Sequence, residues 1–360
     1  MTGQAAPVVP VTPQKDAPPP AAQRLAEALA RFCRAEGNDW GVTLHAEPVR
    51  QVQRPFSLVH WYRVAGAGVR AEVVVKAARG ASGAARETAD AEARAAQRLE
   101  AVFAGIPELG VVVPLRTYVD LLAVVTPAIA APSLGSTIEA RGGWWPGAET
   151  LRDLVRGCEM AGRWLGHLHD ACPAPEPWTL ETMREDVMLR VRLLREFPAH
   201  YGMPDFLAGR VERWLDAELG RASAADLVCS ETHRDFSPSN MLYDGQQLRV
   251  LDLGTLRQAP RLLDVTRFLH QIALLRMKPR YRPSTRRALD RAFTSGYNND
   301  ALLASTLVTV FMARHELSHW LGAARRGKRR SSAASAILCQ VHARTTRRLV
   351  STTYTPAQPR

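Results

Sequence analysis

The sequence predicts an α+β fold, built from a small, β-rich N-terminal lobe and a larger, mostly helical C-terminal lobe. Short runs rich in β-branched residues fill much of the first ~130 residues, around a single helical stretch. After residue 132, apolar residues recur mostly every three to four positions, which is typical of amphipathic helices. One short β-rich island, residues 226–253, lies within that helical region. We therefore expect residues 23–131 to form the first lobe and residues 132–360 the second.

The first lobe should begin with a helix and continue as a small sheet. Leu25, Leu29 and Phe32 repeat at helical spacing, and Gly66-Ala67-Gly68 marks a turn between two strand-like runs. The expected elements are a helix at 21–35, strands at 57–64 and 71–76, a helix at 84–103, and strands at 111–113 and 121–125. A hinge to the second lobe is expected at 126–133.

The second lobe should consist mainly of helices. Leu151, Leu154, Cys158 and Leu165 mark the apolar stripe of one amphipathic helix. Further helices are expected at 183–194, 206–219, 262–275, 284–296, 302–324 and 331–350.

The composition excludes several classes of protein. With 46% hydrophobic and 23% charged residues, the chain is too apolar for disorder throughout. Five irregularly spaced cysteines without a C-x-x-C pair argue against a disulfide scaffold or structural zinc, and fit reduced thiols of a cytoplasmic protein. The longest uncharged apolar run, residues 121–138, is interrupted by Pro127, Pro132 and Gly135, which argues against a membrane span. Residues 1–22 are rich in Pro and Ala, so we expect a disordered tail and not a signal peptide.

Positive charge is concentrated in the last third of the chain. Residues 253–360 carry 20 basic and 4 acidic residues, a net charge of +16. Because the whole chain carries +12, the first 252 residues sum to −4. Such a field attracts phosphates, anionic lipid or nucleic acid, although a solubilising charged surface explains it equally well. No nucleic-acid-binding motif accompanies the charge, so we do not expect a nucleic-acid partner.

The densest polar cluster in an apolar setting lies in the β-rich island. It reads His-x-Asp-x₄-Asn, then a hairpin, then Asp-x-Gly, with Asp235, Asn240 and Asp252 as its acidic and amide members. The Asp244-Gly245 dipeptide between two apolar runs predicts a tight turn. If Tyr243 pairs with Leu248, then Asn240 lies opposite Leu251 and beside Asp252. Two such oxygen ligands suit Mg²⁺, which completes its shell with water and substrate phosphate. Taken singly, each residue is also an ordinary turn former.

This pattern resembles the catalytic and metal-binding loops of the protein-kinase-like superfamily, and it is most similar to the aminoglycoside phosphotransferase and choline kinase branch. The loop of that branch reads H-G-D-x-x-x-x-N, whereas this chain has Arg234 where the branch prefers Gly. The resemblance implies a two-lobed kinase-like fold and ATP and Mg²⁺ as cofactors. It implies that Asp235 is catalytic, orienting and deprotonating the acceptor hydroxyl, and that Asn240 and Asp252 hold the metal.

Kinase-like folds also place a lysine on a strand and pair it with a helical glutamate, which makes the first lobe the nucleotide-binding one. Lys76 ends a β-branched run and is the only lysine between Lys15 and Lys278. Of Glu87, Glu92 and Glu100, we choose Glu92, because at about 100° per residue it faces the apolar stripe of its helix. A buried carboxylate there needs a cation. The alternative reading of Lys76 is a snorkelling strand-end residue.

The phosphate-covering loop is expected near residues 54–57, where Ser57 would donate a hydrogen bond to a phosphate; an ordinary strand-start serine is the alternative. Two further segments match the branch. Leu165-Gly166-His167-Leu168-His169 resembles its L-G-x-L-H helix end, where we expect both histidines to be packing residues. Asp264, in the segment after Asp252, is expected to cap or brace the catalytic loop.

The acceptor is expected to be a small molecule or glycan. About ten residues separate Asp252 from the next helix, too few for the activation segment of a protein kinase. A charge of +16 would repel a cationic aminoglycoside, so an anionic or neutral acceptor is predicted. Candidate contacts are Arg267, His270, Arg276 and the basic run 325–330. That run also suits an anionic surface, which leaves peripheral binding to the inner face of the membrane open. The alternative is a non-catalytic kinase-fold protein that binds an anionic partner through its basic third.

Overall fold

The computed structural model describes residues 20–54, 57–80, 83–174, 178–330 and 332–351, with the side chains of residues 83–88 and 330 left out. Of the predicted tail, residues 1–19 lie outside this range. The described strands are β1 His45–Gln53, β2 Ser57–Gly66, β3 Val69–Ala78, β4 Leu109–Val111, β5 Arg116–Tyr118, β6 Ala123–Pro127, β7 Cys229–Thr232, β8 Met241–Tyr243, β9 Leu248–Val250 and β10 Arg257–Pro260. The described helices are α1 Ala21–Trp40, α2 Gly83–Phe103, α3 Leu134–Arg141, α4 Ala148–Ala171, α5 Leu180–Arg195, α6 Asp205–Arg221, α7 Leu262–Leu274, α8 Pro283–Tyr297, α9 Asp300–Leu303, α10 Leu307–Arg330 and α11 Ala333–Leu349.

The chain divides into two compact units. The first contains the residues up to Ala96 together with Val112–Ala128, and the second contains Gln97–Val111 and Ile129–Arg360. The five described strands of the first unit form a single sheet, whereas helices dominate the second. The α+β prediction is therefore confirmed. The assignment of nucleotide and acceptor binding to separate lobes stays a prediction.

The first unit is a five-stranded antiparallel sheet in the order β1-β2-β3-β6-β5, covered on one face by α1. Leu25 and Phe32 of the helix pack in one core with Val73, Val75 and Val125 of the central strands. Because side chains alternate along a strand, burial of Val73 and Val75 directs their neighbours to the opposite face. Residue 76 therefore lies on the face of β3 that α1 does not cover.

Strand β1 and the helix expected at 302–324 are two of the elements that differ from the sequence-based expectation. Strand β1 was not predicted, because its burial pattern is almost wholly exposed and lacks the alternation of a half-buried strand. It pairs with β2 alone, with a register shift between Pro48 and Arg50, as an edge strand can. The helix expected at 302–324 is two helices, α9 and α10, because the Ser305 hydroxyl accepts the Leu307 N–H at 3.1 Å and begins a new helix there.

The second unit is organised around α4, which packs closely along α8. The contact is close because Gly162 of α4 and Gly296 of α8 face each other's backbone: a Cβ at Gly162 would overlap the Phe293 carbonyl oxygen, and one at Gly296 the Glu159 carbonyl oxygen. Trp164 of the same α4 is fully buried and donates its indole N–H to the Gly110 carbonyl at 2.8 Å. These contacts attach β4, and the β8–β9 hairpin paired with it, to the helical core.

Gly162→Ala is expected to destabilise the protein by about 3 kcal/mol, because overpacking against backbone cannot be relieved by a rotamer change. Gly209→Ala in α6 is the matched control, since a Cβ there meets only Arg213 Nη1 at 3.4 Å. That control should gain up to about 1 kcal/mol from the better helix propensity of alanine. Urea unfolding followed by circular dichroism measures both values, and equal effects of the two substitutions would contradict the close helix crossing.

Both histidines of the L-G-x-L-H segment are packing residues, as predicted. His169 is fully buried, and its Nδ1 lies 3.0 Å from the Tyr297 hydroxyl. The His167 Nε2 lies 3.0 Å from the Val102 carbonyl. Among the described residues, no helix combines the length and the apolar character needed to cross a membrane.

Candidate active site

The hairpin of the β-rich island has the register predicted from its turn. Tyr243 pairs with Leu248, and the Leu251 N–H donates to the Asn240 carbonyl at 2.9 Å. The Asp244 carboxylate accepts the N–H groups that close the turn. Asn240 therefore lies directly before β8, opposite Leu251, the residue that precedes Asp252. The two predicted metal ligands leave the same, open end of the hairpin.

Asp235 is held at both of its carboxylate oxygens. Its Oδ1 accepts from Arg267 Nε at 3.1 Å and Nη2 at 2.7 Å, and its Oδ2 accepts from Asn240 Nδ2 at 3.2 Å. The same Nδ2 also donates to the Asp235 carbonyl, at 3.0 Å. The Asp235 side chain is still 49% exposed. It is thus fixed in direction and open to a ligand, which is what an orienting carboxylate requires.

The loop before the hairpin is braced by Asp264, as predicted. This fully buried carboxylate accepts the backbone N–H of His233 at 2.5 Å and that of Arg234 at 2.7 Å. The Thr255 hydroxyl donates to the His233 carbonyl at 2.7 Å. Backbone groups that would otherwise be unpaired in the interior are therefore satisfied, and the conformation of the residue before Asp235 is fixed.

Two residues of the site have left-handed backbone. Arg234 and Asp252 both have φ of 66°. This region costs a residue with a Cβ about 1–2 kcal/mol and costs glycine almost nothing. The backbone thus explains why the related branch prefers Gly at the position of Arg234, and it shows that the arginine is kept here at the expense of stability.

Arg234→Gly is expected to stabilise the protein by about 0.5–1 kcal/mol, since the relief of left-handed strain exceeds the extra chain entropy of glycine. Gly245→Ala, at a turn position with φ of 95°, should have the opposite sign. Urea unfolding measures both. A loss of stability in Arg234→Gly would contradict the strain argument.

In the first unit, the structure pairs Lys76 with the predicted glutamate. Lys76 Nζ lies 3.3 Å from Glu92 Oε2, and the two side chains are 32% and 14% exposed. Glu100 is exposed, and the Glu87 side chain lies outside the described part. Since Glu92 is mostly buried, the ammonium group offsets the desolvation of its carboxylate.

Ser57 begins β2 and pairs with Ala78, two residues along β3 from Lys76. The period of two along strands puts Ser57 and Lys76 on the same face of the sheet. Residues 55 and 56 of the expected phosphate loop lie outside the described residues. The roles of Lys76, Glu92 and Ser57 in nucleotide binding, and those of Asp235, Asn240 and Asp252 in the second unit, stay predictions.

Of the predicted acceptor contacts whose side chains the structure describes, Arg267 alone forms a hydrogen bond with Asp235. His270 is buried, and its Nε2 lies 2.9 Å from Glu316 Oε2. Arg276 donates to the same oxygen at 3.2 Å and to Thr345 at 3.0 Å. Both residues therefore belong to a buried polar network. Exposed residues of the basic run lie near the end of α10.

The sequence did not reveal the residues that hold Arg267. Its Nη1 lies 2.7 Å from His319 Nε2, and Gln271 Nε2 lies 3.1 Å from the same nitrogen. Burial, with the positive charges of His270 and Arg267 nearby, lowers the pKa of His319 to about 3. His319 is therefore neutral near pH 7 and accepts from both neighbours. Arg267 and Gln271 are four residues apart on α7, and this spacing was the available signal.

The residues at the hairpin mouth fit a divalent cation. Asn240 uses its Nδ2 to hold Asp235, which leaves its carbonyl Oδ1 as the end available to a cation. Asp252 follows the residue paired with Asn240 and supplies a carboxylate. Within the described ranges there is no group of three or more His, Cys, Asp or Glu side chains that could hold a metal alone. A Mg²⁺ site of one or two protein oxygens completed by phosphate and water does not need such a group.

Comparison with known proteins decides the family. The model of the phosphotransferase enzyme family, APH, matches residues 48–304, which is more than two thirds of the chain. The chain belongs to this phosphotransferase family. The resemblance inferred from the His-x-Asp-x₄-Asn loop is thereby confirmed, and the matched range contains every predicted site residue of the phosphotransferase.

Solved structures share the fold of the phosphotransferase. A choline/ethanolamine kinase family protein from Mesorhizobium loti is 16% identical, with a TM-score of 0.57 over 91% of this chain and 96% of that one. The amicoumacin kinase hAmiN, in complex with AMP-PNP, Ca²⁺ and Ami, is 13% identical, with a TM-score of 0.55 over 92% and 97%. A glucosamine kinase is 19% identical, with a TM-score of 0.51 over 92% and 84%. A search among curated proteins gave no match.

Proposed function

We propose that this phosphotransferase moves the γ-phosphoryl group of ATP to a hydroxyl group of a small molecule or glycan. The observation that carries the proposal is the convergence of Asp235, Asn240 and Asp252 at the mouth of one hairpin, in a chain of the phosphotransferase family. Phosphoryl transfer needs positioning and charge stabilisation more than covalent chemistry from the protein, and this arrangement supplies both.

Each residue has a defined part in the proposal. Asp235 orients the acceptor hydroxyl and takes its proton, with the direction of its carboxylate set by Arg267 and Asn240. Asn240 Oδ1 and the Asp252 carboxylate would hold Mg²⁺, which when bound neutralises charge on the phosphates. Lys76, held by Glu92, binds the nucleotide phosphates, with Ser57 as a further donor on the same sheet face.

The structural neighbours support ATP and a divalent metal as cofactors. One was solved with the ATP analogue AMP-PNP and Ca²⁺, and the neighbours include choline/ethanolamine-type and glucosamine kinases. For this chain we propose an anionic or neutral acceptor and not a cationic aminoglycoside, because residues 253–360 carry +16 and Arg267 adjoins Asp235.

A transfer screen tests the function. Purified protein with γ-³²P-ATP and Mg²⁺ is offered sugars, sugar phosphates, amino alcohols, lipid extracts and aminoglycosides, with Asp235→Asn as the blank. We expect labelled product from at least one anionic or neutral acceptor and none from aminoglycosides. Thermal shifts with AMP-PNP and Mg²⁺ distinguish the phosphotransferase from the alternative, a non-catalytic kinase-fold protein. Stabilisation by the nucleotide without transfer to any acceptor would favour the non-catalytic protein.

A further inference from the structure

Three packed helices of the second unit, α5, α7 and α10, each contribute an arginine that pairs with an aspartate. Arg267 comes from α7 and contacts Asp235 directly. Arg314 of α10 and Arg190 of α5 share one carboxylate, Asp186: Arg314 Nε lies 2.8 Å from its Oδ2, and Arg190 Nη1 lies 2.9 Å from its Oδ1. Arg190 also donates to Ser318, one turn beyond Arg314, at 2.7 Å. The two guanidinium groups are thus fixed by hydrogen bonds.

Arg234, next to Asp235 in the chain, adds a fourth cation. Burial and the positive charges of Arg190 and Arg234 lower the pKa of Arg314 to about 10, in spite of Asp186. The charge of Arg234 therefore acts on Arg314, and α10, which carries Arg314, also contacts Arg267 through His319 Nε2 at 2.7 Å. Four arginines therefore share two aspartates, Asp186 and Asp235, which leaves two positive charges in excess. Two excess positive charges near the Asp235 carboxylate match the two negative charges of a dianion.

Unused donors accompany the excess charge. Arg314 uses its Nε on Asp186, and no hydrogen bond from its Nη1 or Nη2 is found in the described part of the chain. The exposed Arg234 side chain likewise forms no hydrogen bond or ion pair with any residue that the structure describes. Planar guanidinium groups with free N–H pairs match phosphate oxygens.

The backbone of Arg234 is a separate observation. Its φ of 66° would suit glycine, so the fold gains nothing from a side chain here. Arg234 adds repulsion to Arg314 as well as strain. The Arg234 side chain thus destabilises the protein through both backbone strain and charge repulsion. Because it lies next to Asp235 in the chain, this indicates a bound ligand whose negative charge offsets the repulsion.

We propose that Arg234, Arg314 and Arg267 form an anion subsite beside Asp235, which binds a phosphate monoester or similar dianion carried by the acceptor. The inference rests on the proposed function, because it assumes that the protein transfers phosphate to an acceptor. It also deepens that function, because it narrows the class of acceptor from anionic or neutral molecules to molecules that already carry a phosphate group. Such a substrate must come from a preceding phosphorylation, and its product carries two phosphate groups.

Titration calorimetry with inorganic phosphate tests the subsite, with and without saturating AMP-PNP and Mg²⁺, at constant ionic strength. Arg234→Asn keeps a residue that accepts left-handed backbone and should weaken phosphate binding about fivefold. Arg314→Gln should weaken phosphate binding about tenfold or more, because the Arg314 side chain is only 11% exposed and its charge is therefore poorly screened by water. Arg287→Gln, an exposed arginine of α8, is the control and should bind phosphate like wild type. AMP-PNP affinity should be unchanged in Arg234→Asn.

Two results would overturn the subsite: equal phosphate affinity in wild type and Arg234→Asn, or an equal loss of AMP-PNP and phosphate affinity, which would assign the arginines to the nucleotide. Because Arg234 is exposed, its variant stays informative if Arg314→Gln does not fold. Failure of the proposed function would give a different result. The protein would neither bind AMP-PNP nor transfer phosphate, whereas Arg234→Asn would still weaken the binding of inorganic phosphate measured without nucleotide.

Discussion

Changing Asp235 to asparagine is expected to lower the rate of phosphate transfer by about a thousandfold while leaving the fold intact. The carboxylate is half exposed, and its Oδ1 accepts two hydrogen bonds from Arg267. An amide in its place cannot take the proton of an acceptor hydroxyl, and it leaves the guanidinium group without its counterion. Steady-state transfer of labelled γ-phosphate measures the rate, and far-UV circular dichroism with a thermal melt checks the fold.

Asp244→Asn is the matched control, because Asp244 lies at the other end of the same hairpin and its carboxylate accepts backbone N–H groups of the turn. It should keep turnover close to wild type. Asp252→Asn should be as damaging as Asp235→Asn, since it removes a charged ligand from the proposed metal site. Near-wild-type turnover by Asp235→Asn or Asp252→Asn would argue strongly against the assignment.

Changing Glu316 to glutamine is expected to cost about 3–5 kcal/mol of unfolding free energy. The carboxylate is 1% exposed and joins α7, α10 and α11: Oε2 lies 2.9 Å from His270 Nε2, and Oε1 lies 2.7 Å from His342 Nδ1. Arg276 adds a hydrogen bond at 3.2 Å. Glutamine keeps one acceptor oxygen but replaces the other with a donor NH2 group, so one imidazole loses its acceptor and Arg276, which is 30% exposed, loses its counterion. Urea unfolding at pH 7 measures the loss.

Glu212→Gln is the control for a surface ion pair. Its partner is Arg184, and its side chain is 47% exposed, so the loss should stay below about 1 kcal/mol. The pH dependence gives a second check. Hydrogen bonds from His270 and His342 hold the pKa of Glu316 below its ordinary value in spite of burial. The contribution of the Glu316 carboxylate to the free energy of unfolding is therefore present above its unfolded pKa of about 4.3. This contribution is lost as the pH falls below that value. A difference between wild type and Glu316→Gln that does not shrink in acid would contradict this role.

The parts of the site that were predictable from sequence depend on short-range rules. The pairing of Tyr243 with Leu248 follows from the Asp-Gly turn, and that pairing fixes the neighbours of Asn240 and Asp252. The choice of Glu92 follows from the helical period, since only a residue on the buried stripe meets the sheet face that carries Lys76. In both cases one local periodicity determines the geometry.

The parts that were not predictable depend on contacts between distant helices. Arg267 meets His319 across 52 residues, and Arg314 meets Asp186 across 128. No local pattern fixes which faces of α5, α7 and α10 meet, so His270 and Arg276 were predicted as acceptor contacts although they hold Glu316. The left-handed backbone of Arg234 was equally hidden, because an arginine gives no sequence signal for positive φ.

The central claim is that Asn240 and Asp252 bind the metal that accompanies the nucleotide. Electron paramagnetic resonance of Mn²⁺, used in place of Mg²⁺, tests it directly by measuring metal affinity in the presence of AMP-PNP. We expect the nucleotide-dependent affinity to fall at least about tenfold in Asp252→Asn and Asn240→Ala, and to remain at the wild-type value in Asp244→Asn. Wild-type Mn²⁺ affinity in Asp252→Asn would contradict the claim.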